Sequence, residues 1–281
     1  MLWLLLACAR YEGPPQETGL ADAYPRPLLV SAAAPHPDVQ WLDVRPEADW
    51  AAGHVPGAAQ VRWTDLAGYD ADGVWTAAEV EAAAALLAER GLRAGVPIVV
   101  YDDWSDSWGG DGFLYWTLRQ MGIPDVQVLN GGWDAWVAVD GPMATDTPPP
   151  GDLAPLGFED VQASTEEVQA ALEAGTPMLL DVRSAEEYEA GHIPGAHWLE
   201  YTRALHADGR LRTPEDLADL LADAGLGDPD APVITYCAGG IRAGHTFFVL
   251  ELMGYTQVQD YVGSWRAWTA AGGAVESDAV E

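Results

Sequence analysis

The sequence predicts an α/β protein built from two tandem domains, each with a mainly parallel sheet flanked by helices on both faces. Two motifs occur twice in the same order, and both recur at an offset of 138 residues. The sequence LDVR occupies 42–45 and 180–183, and a GHxPGA pattern begins at Gly53 and at Gly191. A repeat of this length is a whole domain rather than one unit of a solenoid.

Strands and helices alternate along the second copy. Short apolar runs at 178–182 and 232–236 are typical of buried parallel strands. Segments 165–174, 214–224 and 244–253 carry helical periodicity, and proline or glycine marks several of their ends. Alternation with short connections predicts a parallel sheet that is covered by helices on both faces.

The repeat and the composition divide the chain into four segments. Residues 1–26 form a leader, 27–142 the first domain, 143–158 a linker and 159–275 the second domain. The linker contains three consecutive prolines, which predict a stiff and extended connection between the domains.

The leader opens with an apolar run, Met1 to Cys8, that is far too short to span a bilayer. Its last four residues, LLAC, resemble the cleavage box of bacterial lipoproteins, in which the cysteine becomes a lipid anchor. The run is short for a signal peptide, however, and no Lys or Arg precedes it. Two locations therefore stay open: a periplasmic or cell-surface lipoprotein anchored at Cys8, and a cytoplasmic protein. No transmembrane helix is predicted elsewhere in the chain.

The charge balance is strongly acidic. The chain has 44 Asp and Glu residues against 13 basic residues, all of them Arg, and a net charge of −31. Such a field opposes binding to nucleic acid and to anionic lipid. It also repels anionic substrates unless a local site reverses the sign. We expect solvated acidic faces, as in proteins of high-salt habitats, and a specific cationic partner is the alternative.

Cys237 is the candidate nucleophile. The other cysteine is Cys8, so the chain has no disulfide framework, and no motif of metal ligands is present. Cys237 follows the predicted strand 232–236 directly, at the edge where open α/β sheets bind ligands. Loop N–H groups and the start of the next helix favour a thiolate at this position. A buried structural cysteine is the alternative.

The loop after Cys237 supplies candidate substrate-binding groups. Its two glycines permit a close approach of the backbone, and its arginine adds a fixed positive charge near the sulfur. These loop residues are Ala238, Gly239, Gly240, Ile241 and Arg242.

Several motifs resemble the signatures of the rhodanese family in its tandem form, which includes thiosulfate and 3-mercaptopyruvate sulfurtransferases. The family's first signature resembles 188–196 and, in domain one, 50–58, while its C-terminal signature resembles 132–136 and 265–268. The resemblance covers the chain apart from its leader and tail. It implies two rhodanese-like domains, of which the first is catalytically inactive and the second carries the catalytic cysteine.

The resemblance also implies a reaction. Cys237 takes sulfane sulfur from a small donor, thiosulfate or 3-mercaptopyruvate, and holds it as a persulfide until a thiol or cyanide accepts it. No metal or organic cofactor is expected. A non-catalytic rhodanese-like protein that binds a partner or carries sulfur is the alternative. Related phosphatases of this fold place five residues between cysteine and arginine, whereas four separate Cys237 from Arg242, which favours sulfur transfer.

One position departs from the pattern of the family. Relatives often carry a second arginine shortly after the Asp-Val-Arg segment, where this sequence has Glu187. Either Arg242 takes over that role or the donor is different, such as a protein persulfide. Arg183 is a further candidate for substrate binding, although a structural pair with Asp181 is the alternative interpretation.

Three histidines and an acidic loop complete the candidates. His54 and His192 lie in the repeated turn motif, where we expect structural hydrogen bonds, and His245 is weighed as a general base. In place of Cys237, domain one has an acidic loop at 102–111, for which a cation site and a solvated loop are the two interpretations. The cation-site interpretation uses Asp102, Asp103, Asp106 and Asp111.

Overall fold

The chain folds into two consecutive α/β units, seen here in a computed structural model. The structure describes residues 23–277 except 35, 72, 106 and 107. The apolar start of the leader and Cys8 lie outside the described residues, so the lipid anchor stays a prediction. Among the described residues, none of the helices has the length and apolar character needed to cross a membrane.

Domain one is organised around a parallel sheet. Its strands are β1 (Leu29–Val30), β2 (Gln40–Asp43), β3 (Ala59–Gln60), β4 (Ala67–Tyr69), β5 (Trp75–Ala77), β6 (Ile98–Tyr101) and β7 (Val126–Leu129). Five of them form the sheet in the order β1-β7-β6-β2-β3, with every pair parallel. Strands β4 and β5 form a separate antiparallel pair. The helices are α1 (Glu47–Ala52), α2 (Val80–Glu89), α3 (Gly110–Gln120) and α4 (Gly132–Ala138).

Domain two repeats this plan with four parallel strands. They are β8 (Met178–Asp181), β9 (His197–Trp198), β10 (Val233–Tyr236) and β11 (Val258–Asp260), in the order β11-β10-β8-β9. The helices are α5 (Thr165–Ala174), α6 (Ala185–Ala190), α7 (Pro214–Asp223), α8 (Ile241–Leu252) and α9 (Ser264–Ala270). Strand β10 is buried throughout because sheet neighbours and helices cover it. The predicted fold class is confirmed in both copies.

The domains share their largest hydrophobic core. Buried side chains of both units form one cluster that includes residues of α3 and α8, and two smaller clusters cover the opposite faces of the sheets. Helices α3 and α8 cross at glycines. A Cβ added at Gly112 would lie 2.2 Å from the Cα of His245, and one added at Gly244 would lie 2.8 Å from the Cα of Phe113. The two backbones therefore meet without intervening side chains.

Buried charge also joins the two domains. Glu251 of α8 accepts a hydrogen bond from the hydroxyl of Tyr115 at 2.6 Å and from Nε of Arg119 at 3.1 Å, both on α3. Arg26 contacts the same carboxylate at 2.9 Å. Because each buried group has partners, this network fixes the relative position of the domains, which positions the cleft between them.

Two local features differ from the sequence-based expectation. Helix α8 begins at Ile241 rather than at residue 244, because Gly240 adopts φ 84° and turns the chain directly into the helix. The proline-rich segment, predicted as a stiff and extended connection, packs against domain one, since Gly151 and Leu153 donate backbone hydrogen bonds to Ala88 and Leu92.

Candidate active site

Cys237 lies at the carboxyl end of β10 and is 1% exposed. Its N–H donates to Oγ of Ser264 at 3.0 Å, and its carbonyl accepts from the N–H of Trp265 at 3.1 Å. Both partners belong to the first turn of α9. The strand and the following helices therefore hold the cysteine backbone from two sides, as the strand-then-loop pattern predicted.

The loop after Cys237 is held close to its neighbours at both glycines. A Cβ at Gly239 would lie 2.9 Å from Nε1 of Trp75, and a Cβ at Gly240 would lie 2.8 Å from the Cα of Val262. The loop then enters α8 at Ile241, which directs the positive end of a twelve-residue helix toward the cysteine. The cysteine is thus followed by a tight loop and a helix N-terminus, an arrangement suited to anionic sulfur.

Arg242 is a paired cation beside the cysteine: its burial opposes the charge, but interactions with Glu187 and Cys237 raise its pKa. Its guanidinium is paired with the carboxylate of Glu187 through two hydrogen bonds, Nη1 to Oε2 at 2.6 Å and Nη2 to Oε1 at 2.8 Å. The hydrogen bond to Arg242 is the main reason why the pKa of Glu187 falls to about 2. Glu187 is placed for this contact because it also completes a capping box with Ser184 at the start of α6.

Arg183 has a structural partner instead of a place in the cleft. Its guanidinium binds Asp181 at 2.6 Å and the carbonyl of Gly191 at 2.7 Å, and it is 3% exposed. Domain one repeats the arrangement with Arg45 and Asp43, also at 2.6 Å. Because a domain without the cysteine keeps the same pair, the repeated motif stabilises the fold. This corrects the expectation that Arg183 binds substrate.

The repeated histidines are structural, as expected. Nδ1 of His192 lies 2.9 Å from the carbonyl of Tyr188, and the two rings stack at 3.8 Å. His54 makes the equivalent contacts with Trp50, at 2.8 Å and 4.4 Å. Each histidine thus closes the turn of its own domain.

A cleft of about 380 Å³ opens above Cys237. Domain two contributes the loop, Glu187 and Arg266, while domain one contributes three tryptophans: Trp63, Trp75 and Trp108. Of the predicted loop residues, Gly240 is the one outside the lining. Sequence analysis did not identify these tryptophans, because they come from three separate segments of the other domain.

The tryptophans contact the charged groups of the site directly. Nε1 of Trp75 donates to the carbonyl of Gly239 at 2.8 Å, and the guanidinium of Arg266 lies over its ring at 4.4 Å. Arg242 lies 5.6 Å from the ring centre of Trp108. Domain one is therefore in contact with the loop that follows Cys237.

A family model for the rhodanese-like domain matches the chain twice, at residues 29–139 and 164–271. The chain belongs to the rhodanese family. The two matches coincide with the two sequence repeats, so both copies are rhodanese domains and together they span most of the described residues.

Curated relatives extend along most of the chain. It is 35% identical to the thiosulfate sulfurtransferase of Pseudomonas aeruginosa over 260 residues, which covers 86% of this chain and 94% of that protein. It is 30% identical to the sulfur carrier protein TtuD of Thermus thermophilus, covering 77% of this chain and 82% of that protein. Sulfurtransferase is the enzyme class that these relationships support.

A solved structure shows the same fold. The anaerobic ergothioneine biosynthesis enzyme from Chlorobium limicola, in complex with trimethyl histidine, matches with a TM-score of 0.76. The identity is 24%, and the match covers 90% of this chain and 71% of that chain. At this identity the likeness concerns the arrangement of the two rhodanese domains.

The first rhodanese domain has a carboxylate in place of the thiol. The carbonyl of Asp102 accepts a hydrogen bond from the N–H of Trp133 at 2.9 Å, the same contact that Cys237 makes with Trp265. Asp106 lies outside the described residues. Among the described residues, no group of three or more His, Cys, Asp or Glu side chains is arranged to hold a metal ion.

His245 lies at the domain interface and not in the cleft. It is 4% exposed, its ring meets Tyr201 edge-on at 5.9 Å, and Nδ1 is 3.5 Å from Oδ1 of Asp111. The cleft lining does not include it. The geometry therefore gives no support to His245 as a general base.

Asp260 is a site neighbour that sequence analysis missed. It ends β11, is fully buried, and neither carboxyl oxygen has a hydrogen-bond partner among the described residues. Burial, together with the charge of Cys237, raises the pKa of Asp260 well above its usual range. Burial therefore disfavours the ionised form of this carboxyl. A lone acidic residue at the end of a three-residue strand gave no signal of this environment.

Proposed function

We propose that this protein transfers sulfane sulfur through a persulfide on Cys237. The observation that carries the proposal is the position of the cysteine, which lines a cleft and is followed by a tight loop and the start of α8. The N–H groups of such a loop and helix start can stabilise anionic sulfur without reorganisation during the reaction.

The reaction has two balanced steps. The Cys237 thiolate attacks the outer sulfur of thiosulfate, the sulfur–sulfur bond of the donor breaks, and sulfite leaves with the bonding electron pair. With 3-mercaptopyruvate, the carbon–sulfur bond breaks and the pyruvate enolate takes a proton from solvent. A thiol or cyanide then attacks the terminal sulfur of the persulfide and regenerates the thiolate.

The sulfur-carrier alternative uses the same intermediate. One relative is named a sulfur carrier protein, and a persulfide on Cys237 would serve a carrier as well as an enzyme. The two functions differ in the acceptor: an enzyme turns over with a small thiol or cyanide, whereas a carrier delivers its sulfur to a protein.

The test compares the wild type with Cys237→Ser. Each protein is treated with thiosulfate or with 3-mercaptopyruvate, the intact mass is recorded, and thiocyanate formation from cyanide is measured. We expect one added sulfur and turnover in the wild type, and neither in the variant. Folded wild-type protein with a free thiol that gains no sulfur from either donor would refute the proposal, and loading without turnover would favour the carrier.

A further inference from the structure

The charge inside the cleft is nearly balanced. Its charged lining residues are Glu187, Arg242 and Arg266. The bidentate contact with Glu187 compensates the charge of Arg242, and a carboxyl group with a pKa of about 2 stays ionised throughout the neutral range. Among the described lining residues, Arg266 is thus the cation that no carboxylate pairs with. Arg242 also interacts with the side chain of Cys237, so Arg266 is the cation that remains to receive the substrate.

This balance is unfavourable for a doubly charged donor. Thiosulfate brings two negative charges to a thiolate inside a protein with a net charge of −31. Each further negative charge adds a repulsive interaction that the single free guanidinium of Arg266 cannot compensate. A donor with one negative charge is opposed much less, because Arg266 alone balances it.

The shape and the surface of the cleft favour an organic molecule. A volume of about 380 Å³ is within the range of small-molecule sites and exceeds what an inorganic anion would fill. Three indole rings form the wall, and indoles stack on planar or apolar groups. The tryptophans therefore offer a contact surface that thiosulfate cannot use.

We propose that the cleft selects an organic sulfane-sulfur donor with a planar or apolar body and a single negative charge, and that Glu187 sets this selection by compensating Arg242. The chemical class is an organic persulfide or thiosulfonate. The inference rests on the proposed function, because it concerns the donor in the first step. With a thiosulfonate, the thiolate takes the outer sulfur and the sulfinate leaves with the bonding electron pair.

The first experiment measures kcat/KM for thiosulfate and for benzenethiosulfonate, with cyanide as acceptor. Each value is divided by the rate constant of that donor with a free small thiol, which removes differences in intrinsic reactivity. We expect the corrected kcat/KM to be higher for benzenethiosulfonate than for thiosulfate. A corrected preference for thiosulfate would overturn the donor inference and leave sulfur transfer intact, whereas no turnover of either donor would count against the proposed function itself.

The Glu187→Gln variant tests the charge argument. Glutamine keeps the capping box at the start of α6 but releases the charge of Arg242. We expect kcat/KM for thiosulfate to rise roughly tenfold, as one released guanidinium near the bound dianion implies, while benzenethiosulfonate changes much less. Glu186→Gln is the matched control, because it removes one charge from an exposed neighbour on the same helix. Equal responses of the two variants would overturn the role of Glu187.

A second variant tests the aromatic wall independently. Trp108 is 56% exposed, so Trp108→Ala leaves the core intact. We expect kcat/KM for benzenethiosulfonate to fall several-fold more than that for methanethiosulfonate, which has one charge but no ring. If the ratio of kcat/KM for the two donors is the same in the variant as in the wild type, the donor does not stack on Trp108.

Discussion

At the scale of single residues, the backbone of Cys237 depends on one neighbouring hydroxyl. Ser264 is fully buried, accepts the cysteine N–H at 3.0 Å and donates to the carbonyl of Tyr261 at 2.7 Å. It therefore connects the end of β10 to the turn before α9. A side chain without the hydroxyl would leave a buried donor unpaired next to the nucleophile.

We predict that Ser264→Ala lowers the free energy of unfolding by about 1–3 kcal/mol, the cost of an unsatisfied buried polar group. Turnover should fall as well, because the cysteine loses its fixed position. Denaturant titration and thiocyanate formation measure the two effects. Thr269→Ala on the exposed face of the same helix serves as control, and a Ser264 variant as stable as this control would contradict the prediction.

Asp260 gives the protein a distinct dependence on pH. The pKa of Asp260 in the folded state lies above that in the unfolded chain. Above about pH 4, the folded state therefore binds more protons than the unfolded chain does at the same pH. The contribution of this carboxyl to stability is therefore greatest in acid and is lost progressively toward neutral pH.

We predict that Asp260→Asn removes this loss. The difference in unfolding free energy, variant minus wild type, should increase steadily between about pH 4 and pH 7. Urea titrations across that range measure it. Glu166→Gln, at an exposed position in the first turn of α5, is the control. A difference for Asp260→Asn that stays constant with pH would show that the carboxyl ionises normally.

At the scale of elements, the crossing of α3 and α8 decides how the domains meet. Gly112 and Gly244 let the two backbones approach, and Glu251 with its partners closes the remaining contact. Helix α8 also begins at the active-site loop. A displacement of this helix would therefore reach both the interface and the position of the nucleophile.

We predict that Gly244→Ala lowers the free energy of unfolding by about 1–3 kcal/mol, since the added methyl group overpacks a tight crossing. Turnover should fall with it, because α8 carries the loop. Gly227→Ala is the matched control, as a Cβ there meets nothing within 4 Å. Equal unfolding midpoints for the two variants in urea would contradict the close packing.

At the scale of the whole molecule, net charge dominates. A formal charge of −31 over 281 residues makes the compact state repel itself, and only 13 arginines offset it. The buried ion pairs of the domain interface are shielded from solvent, but the acidic faces are not. Salt therefore acts mainly on the surface.

We predict that the melting temperature rises by several degrees between about 0.1 M and 1 M KCl, because the Debye length shortens from about 10 Å to about 3 Å. Calorimetry in a series of salt concentrations measures the change. Sucrose solutions of matched osmolality serve as a control, because sucrose is excluded from the protein surface but does not screen charge. A melting temperature that stays constant or falls with salt would show that surface repulsion contributes little.

The sequence was sufficient for the fold because its signals are local and appear twice. The LDVR motif, the GHxPGA turn and the apolar strands each follow from a few neighbouring residues. Cys237 was identified in the same way, from the loop that follows its strand. The pairing of Asp181 with Arg183 is one of the alternatives that the sequence predicts, since the two residues are only two positions apart.

Contacts between distant segments could not be predicted. Glu187 was noticed as a departure from the family pattern, but 55 positions separate it from Arg242, and no local pattern links the two. Trp75 and Gly239 are 164 positions apart and belong to different domains. Such contacts depend on how two completed domains pack, which a single sequence does not encode in any periodicity.

The hydrogen bond from Trp75 to Gly239 has a consequence for how this enzyme changes over evolutionary time. Domain one has Asp102 where domain two has Cys237, and it still lines the cleft. Mutations of Trp63, Trp75 or Trp108 then alter what enters the cleft while every atom of the thiol loop stays unchanged. Domain one can thus vary the shape of the cleft while domain two keeps the loop of Cys237 and the Glu187–Arg242 pair.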